Sequence, residues 1–302
     1  MKILAFNDRV HTNVWRAGEW VRDAMRLMRI AAGVVALAAT PLSAQSVLIA
    51  PTAIIIDANR PSTAITLVNT GTAPAEVSLS FTFGLPATDS VGNMHITLDE
   101  SPADSMPSAV DFVHAYPSRL VLPAGGRQVV RLVAAPQRKL EAKEYWARLI
   151  VTSRQGRPMA VGTSTDAPAD AQVALDLEVR SVLAVFYRPA GLSTALDMSA
   201  PNTRVANGQI ETRVRLQRGG NAAFVGSVSA VLRDSTGRVH GKKDIPLGVY
   251  YDLEPLITLG LASVPKGTYE LELSARPERP DVPNGMLLPA KVVKQRTAVV
   301  VP

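Results

Sequence analysis

Val173-Ala174-Leu175-Asp176-Leu177-Glu178-Val179-Arg180 is the stretch that decides how this chain is read. Large aliphatic residues alternate there with small or charged ones. A β-strand sends successive side chains to opposite faces, so Val173, Leu175, Leu177 and Val179 line one face as a row of apolar knobs. The row runs into Ser181-Val182-Leu183-Ala184-Val185-Phe186-Tyr187-Arg188-Pro189, a longer extended run that ends at a proline. Such a strand either closes its own sandwich or lends its apolar face to a protein that lacks a strand.

Upstream of it, short extended segments alternate with turn signals. Ser46–Ile56 reads as a strand kinked at Pro51. Ser62–Asn69 and Ala75–Phe83 alternate, with a turn at Thr70-Gly71-Thr72 between them. Residues 98–109 read as a polar loop. Ser118–Leu122 and Gln128–Val133 are strands flanking Pro123-Ala124-Gly125-Gly126, which reads as a hairpin turn. Tyr145–Thr152 is a further strand, and residues 153–171 read as a second long loop. About seven strands in this stretch match the count of an immunoglobulin-like sandwich.

Downstream, Tyr187-Arg188-Pro189-Ala190-Gly191 reads as a hinge, stiffened by proline and ended by glycine. Ile210–Leu216, Ala222–Leu232, Thr268–Ala275 and Val292–Val301 are extended, with turns at Gln217–Asn221 and Asp234–Gly237. They imply a second, smaller β-sandwich. After the leader no segment keeps a helical period over three turns. The expected class is therefore all-β, with two immunoglobulin-like β-sandwich domains. The expected boundaries are 1–44 for a leader, 45–187 for the first domain and 188–302 for the second.

Within the leader, residues 25–44 have the form of a secretory signal peptide. Met25-Arg26-Leu27-Met28-Arg29 is basic, Ile30 to Thr40 is apolar or small, and Pro41-Leu42-Ser43-Ala44 supplies the small-residue cleavage site. Cleavage after Ala44 and a periplasmic location are expected; an uncleaved anchor is the alternative, against which stands the shortness of the apolar run. Six of the 32 Lys/Arg and three of the 26 Asp/Glu lie in residues 1–44, which leaves 26 and 23, net +3, for the remainder. That weak, dispersed charge argues against a nucleic-acid partner. With no cysteine, neither disulfides nor thiolate metal sites are available.

Catalytic constellations are hard to find. His11, His95, His114 and His240 lack ligand-like spacing, and neither a nucleophile elbow nor a Walker loop is present. The acidic residues in 98–104 lack the EF-hand pattern. No cofactor, metal or small-molecule substrate is expected, and the chain reads as a binding protein rather than an enzyme.

Three motifs in order carry a resemblance. Arg119-Leu120-Val121-Leu122-Pro123-Ala124-Gly125-Gly126-Arg127-Gln128-Val129-Val130-Arg131-Leu132, then Tyr145-Trp146-Ala147-Arg148-Leu149, then Phe186-Tyr187-Arg188-Pro189, resemble the first-domain signature of periplasmic pilus-assembly chaperones of the chaperone–usher pathway over residues 46–190. The resemblance implies two immunoglobulin-like domains in a boomerang. It implies partners that are pilin-like subunits lacking a strand, and an outer-membrane usher. By the same resemblance Val173, Leu175, Leu177 and Val179 are the donor-strand residues that cap a subunit. A homodimer that caps itself through this strand is a further expectation. The family anchors a subunit's terminal carboxylate with two basic residues, and the corresponding positions here fall on Ala184 and near Ala53. Arg180 and Arg188 share a strand face with Ala184 by parity and are the candidate substitutes. Arg131 matches a family arginine in an ionic contact near the domain interface, with Glu144 as its expected partner. The competing reading is a secreted immunoglobulin-like structural or adhesive module whose last strand pairs only within its own sheet.

Overall fold

A computed structural model describes residues 47–155, 178–282 and 285–302. Residues 45–302 form one contact unit, so the sandwiches below are parts of a single body. Among the described residues the structure is β throughout, apart from a 3-10 turn at Val110–Phe112.

Among the described residues the first sandwich holds ten strands: β1 (Val47–Ala50), β2 (Ala53–Asp57), β3 (Ser62–Asn69), β4 (Ala75–Thr88), β5 (Met94–Asp99), β6 (Val113–Tyr116), β7 (Arg119–Leu122), β8 (Arg127–Ala134), β9 (Tyr145–Gln155) and β10 (Glu178–Arg188). One sheet runs β1-β3-β8-β6. The other runs β2-β10-β9-β4-β5, with β7 also on β4. Alternation explains the core. Ile65, Leu67, Val130 and Leu132 from the first sheet meet Ile54, Ile56, Val77, Leu79, Leu149, Val151, Leu183 and Val185 from the second. Their polar neighbours face outward.

The kink expected at Pro51 is a change of sheet. β1 pairs antiparallel with β3, whereas β2 pairs parallel with β10. Proline has no N–H to give a ladder, so the crossing falls where a hydrogen bond is already missing. The expected hairpin at Pro123–Gly126 is also corrected. β7 pairs with β4 and β8 with β3 and β6, so these residues carry the chain between sheets. The buried Asn69 fixes that crossing, its Nδ2 donating to the carbonyls of Ala73, Leu122 and Pro123 at 2.8–3.1 Å. A Pro/Gly string serves a crossing as well as a tight turn, because both need the positive φ that Gly125 adopts.

The second sandwich contains β11 (Thr194–Met198), β12 (Asn202–Ala206), β13 (Gln209–Arg213), β14 (Leu216–Gly220), β15 (Phe224–Arg233), β16 (Val239–Val249), β17 (Asp252–Leu253), β18 (Leu256–Gly260), β19 (Gly267–Arg276) and β20 (Val293–Val301). They form the sheets β11-β14-β17, β12-β13-β18 and β16-β15-β19-β20 around a second core that includes Leu216, Phe224, Val228, Leu232, Leu271 and Leu273. The turn expected at Gln217–Asn221 is instead strand β14 up to Gly220. Its glycines serve close approach: a Cβ on Gly220 would lie 2.4 Å from the Ser193 carbonyl oxygen.

Candidate functional site

β10 has two unlike halves. Over Ala184–Tyr187 it lies between β2 and β9, with Ala184 opposite both Ala53 and Arg148, and Arg188 continues on β2. Over Glu178–Leu183 it pairs with β9 only, because β2 begins at Ala53 and β1 has left for the other sheet. The backbone of Glu178–Leu183 therefore has an open side among the described residues, a ready template for another strand.

On the open half, Val179 is partly buried opposite Ser153 and shares its face with Leu183 and Val185 of the core. Val173, Leu175 and Leu177 lie outside the described residues. The other face carries a charge cluster. Arg180 donates through Nε to Glu178 at 2.6 Å, and Arg154 binds the same carboxylate. Hydrogen bonds from Arg154 and then Arg180 hold the Glu178 carboxyl below its ordinary range. Arg180 is largely exposed and already engaged. It lies four positions from Ala184, about 13 Å along an extended strand, so its charge does not stand in the Ala184 row.

That row runs Thr82–Arg148–Ala184–Ala53 across four strands. Ala53 and Ala184 belong to an apolar cluster with Ile55, Phe83, Trp146 and Phe186 of the first sandwich and Ala223, Val225, Tyr250 and Val282 of the second. The ring of Trp146 packs 4.7 Å from that of Tyr250, and that of Phe186 packs 5.6 Å from it. The cation of the row is Arg148, one strand inward. It is buried, donates through Nε to the Gly84 carbonyl at 3.0 Å and lies over the Tyr250 ring at 5.0 Å. Sequence reasoning left Arg148 inside a motif without a role. Burial pushes the Tyr250 phenol up to about 12, so the ring stays neutral.

The expected Arg131–Glu144 pair does not form. Arg131, on the outer face of β8, donates to Ser62 Oγ at 3.2 Å. Glu144 is buried between the sandwiches and takes Arg188 instead, Nε to Oε1 at 2.7 Å. Its Oε2 accepts from Trp146 Nε1 at 2.8 Å and from the backbone N–H of Ala223 at 2.9 Å. Arg188 also donates through Nη1 to the Met286 carbonyl. Arg188 thus lines the wall between the sandwiches through Nε and Nη1, while its buried Nη2 has no partner among the described residues. The carboxylate needs this partner because burying it alone costs several kcal/mol. Sequence reasoning also missed Asn221, which closes the same wall: its Nδ2 donates to the Ala142 carbonyl at 2.6 Å, and its own carbonyl accepts from the Glu144 N–H at 3.0 Å. At the far side Thr52 donates to Asp281, whose carboxyl Arg279 holds down at about 2. Among the described residues the histidines stay apart: His95 and His114 are exposed, and His240 pairs with Asp234 at 2.7 Å, while His11 lies outside them.

No protein-family model matches the chain, and no curated protein matches it. Solved structures similar to it include the YadV chaperone, at 15% identity and a TM-score of 0.43 over 83% of this chain and 99% of that one. The CsuC–CsuE chaperone–tip adhesion subunit pre-assembly complex from the archaic chaperone–usher Csu pili of Acinetobacter baumannii matches at 16% and 0.44, over 83% and 98%. The SafA pilin in complex with the SafB chaperone of Salmonella enterica matches at 14% and 0.39, over 87% and 99%.

Proposed function

We propose that this protein is a periplasmic chaperone that binds pilin-like subunits by lending them the strand ending in β10. The observation that carries the reading is the open side of Glu178–Leu183. The open side offers unpaired backbone, and the alternating sequence Val173, Leu175, Leu177, Val179 that leads into it supplies, on this reading, the apolar knobs that strand addition also needs. The protein acts by binding, without turnover, and hands its subunits to an outer-membrane usher. Residues 1–44 are a leader removed after Ala44.

With alanines at 53 and 184, this reading rests subunit binding on the knobs. The cation in their row is Arg148, whose Nε is taken by Gly84 while its buried Nη2 has no partner among the described residues. Each buried Val or Leu knob contributes about 1.5–3 kcal/mol. A charged hydrogen bond contributes roughly the same. Four knobs therefore outweigh two absent anchors, and register rests on the knobs, since a slip by one residue turns all of them away.

The test is a pull-down from periplasm with wild type beside the Leu175→Glu/Leu177→Glu variant. A small β-rich secreted subunit retained by wild type and lost from a folded variant is the expected result. Equal recovery with both proteins would sink strand donation and leave the structural or adhesive module. N-terminal sequencing of the exported protein is expected to begin at Gln45.

A further inference from the structure

A second open edge lies on the opposite side of the same sheet. β5 ends the strand order, and among the described residues nothing pairs with its outer side. Every residue of β5 is exposed, including Met94 (42%), Ile96 (41%) and Leu98 (46%), which alternate and so share one face. Pro86, opposite Ile96, has no N–H to donate. The backbone bond from Asp89 N to Asn93 O, in the same register, places the ladder on the odd residues of β5. In an antiparallel pair the residues between those rungs direct their N–H and C=O the other way. Met94, Ile96 and Leu98 thus supply both the apolar row and the unpaired backbone groups. Such an edge is normally blunted by lysine, proline or a bulge, and β5 carries none of them.

We infer that β5 is a self-association edge, pairing antiparallel with β5 of a second copy about a twofold axis at Ile96. A second copy fits because the strand is complementary to itself. The twofold places Ile96 opposite its own mate and Met94 opposite Leu98, so all three free residues of each chain enter rungs and the apolar row becomes continuous. His95 then faces Thr97, and Asp99 faces Asn93, so no like charges meet. Three half-exposed apolar side chains per chain fall well short of the ~800 Å² per partner of a standard interface, so the dimer is weak and concentration-dependent. This edge is separate from the donor strand and stands whether or not subunits bind β10.

The chain has no cysteine, so a single introduced thiol reports the contact cleanly. In the proposed register the two Ile96 Cα atoms lie about 5.5 Å apart. That falls within the roughly 4.4–6.8 Å that a disulfide spans. Ile96→Cys is expected to form a covalent dimer on mild oxidation, and Val300→Cys, on exposed β20, is not. Sedimentation of the wild type from about 1 µM to about 1 mM should show a rising dimer fraction. Ile96→Lys should weaken association by about tenfold or more while its melting curve stays unchanged. The Leu175→Glu/Leu177→Glu variant should still dimerise. A wild type that stays monomeric throughout, an Ile96→Cys protein that does not cross-link, or a dimer lost in the Leu175/Leu177 variant but kept in Ile96→Lys would each overturn the assignment.

Discussion

The two halves of β10 differ in what surrounds them, though they are one unbroken strand. The half from Ala184 to Arg188 is enclosed by β2, β9 and the second sandwich, and its last residue is tied to a buried carboxylate. The half from Glu178 to Leu183 has β9 on one side and an open edge on the other, and its charges sit in solvent. Enclosure makes a charge pair indispensable; exposure makes it nearly neutral. A strand held rigid at one end and open at the other is suited to presenting a fixed edge.

Breaking the enclosed half should have the largest effect. Glu144→Ala strands Arg188 and leaves Trp146 Nε1 and the Ala223 N–H without an acceptor. Unfolding in urea is expected to show a loss of about 3–5 kcal/mol. Tyr250→Phe probes the same wall from the other side. The Tyr250 hydroxyl is buried without a hydrogen-bond partner among the described residues. Its removal should leave stability unchanged or raise it by up to about 1 kcal/mol. A marked loss would mean that the neighbouring Arg148 guanidinium or a water holds the hydroxyl in place.

The clamp at Asp281 adds a pH dependence. Its folded pKa, about 2, lies below the ordinary 3.8, so its stabilisation is complete above about 4. It is lost as pH falls through 2. In Asp281→Asn the acid limb of a stability–pH profile should be shallower across that window. The smallest effect belongs to the open half. Arg180→Ala should change stability by less than about 0.5 kcal/mol, because the pair it breaks is solvated. It should also leave subunit capture intact, whereas a loss of capture would make Arg180 an anchor after all.

Strand character was legible along most of the first sandwich, since alternation is a property of residues two apart. Ser62–Asn69 falls where its pattern puts it, and the strand expected at Gln128–Val133 extends one residue further at each end, to Arg127–Ala134. β16 was not legible: VHGKKDIPLGV mixes glycine, lysine, aspartate and proline because it is an edge strand with one solvated face. β5 was not legible although Met94, Ile96 and Leu98 alternate, because its last two residues open the polar stretch 98–109, which reads as a loop; Leu98 and Asp99 are strand instead. The partner of Glu144 lies 44 residues away in Arg188 and 79 away in Ala223. No local pattern distinguishes that arginine from Arg131.

By itself the sequence determined that the chain alternates and that it is built of β-strands. Only the tertiary structure decided which edges stay open, that Pro123–Gly126 crosses between sheets, and that Arg148, Glu144 and Arg188 belong to the wall between the sandwiches. The physical reason is range. Which face a side chain takes follows from its neighbours along the strand. Which strand lies beside it, and which charge shares its burial, follows from the order in which distant segments stack.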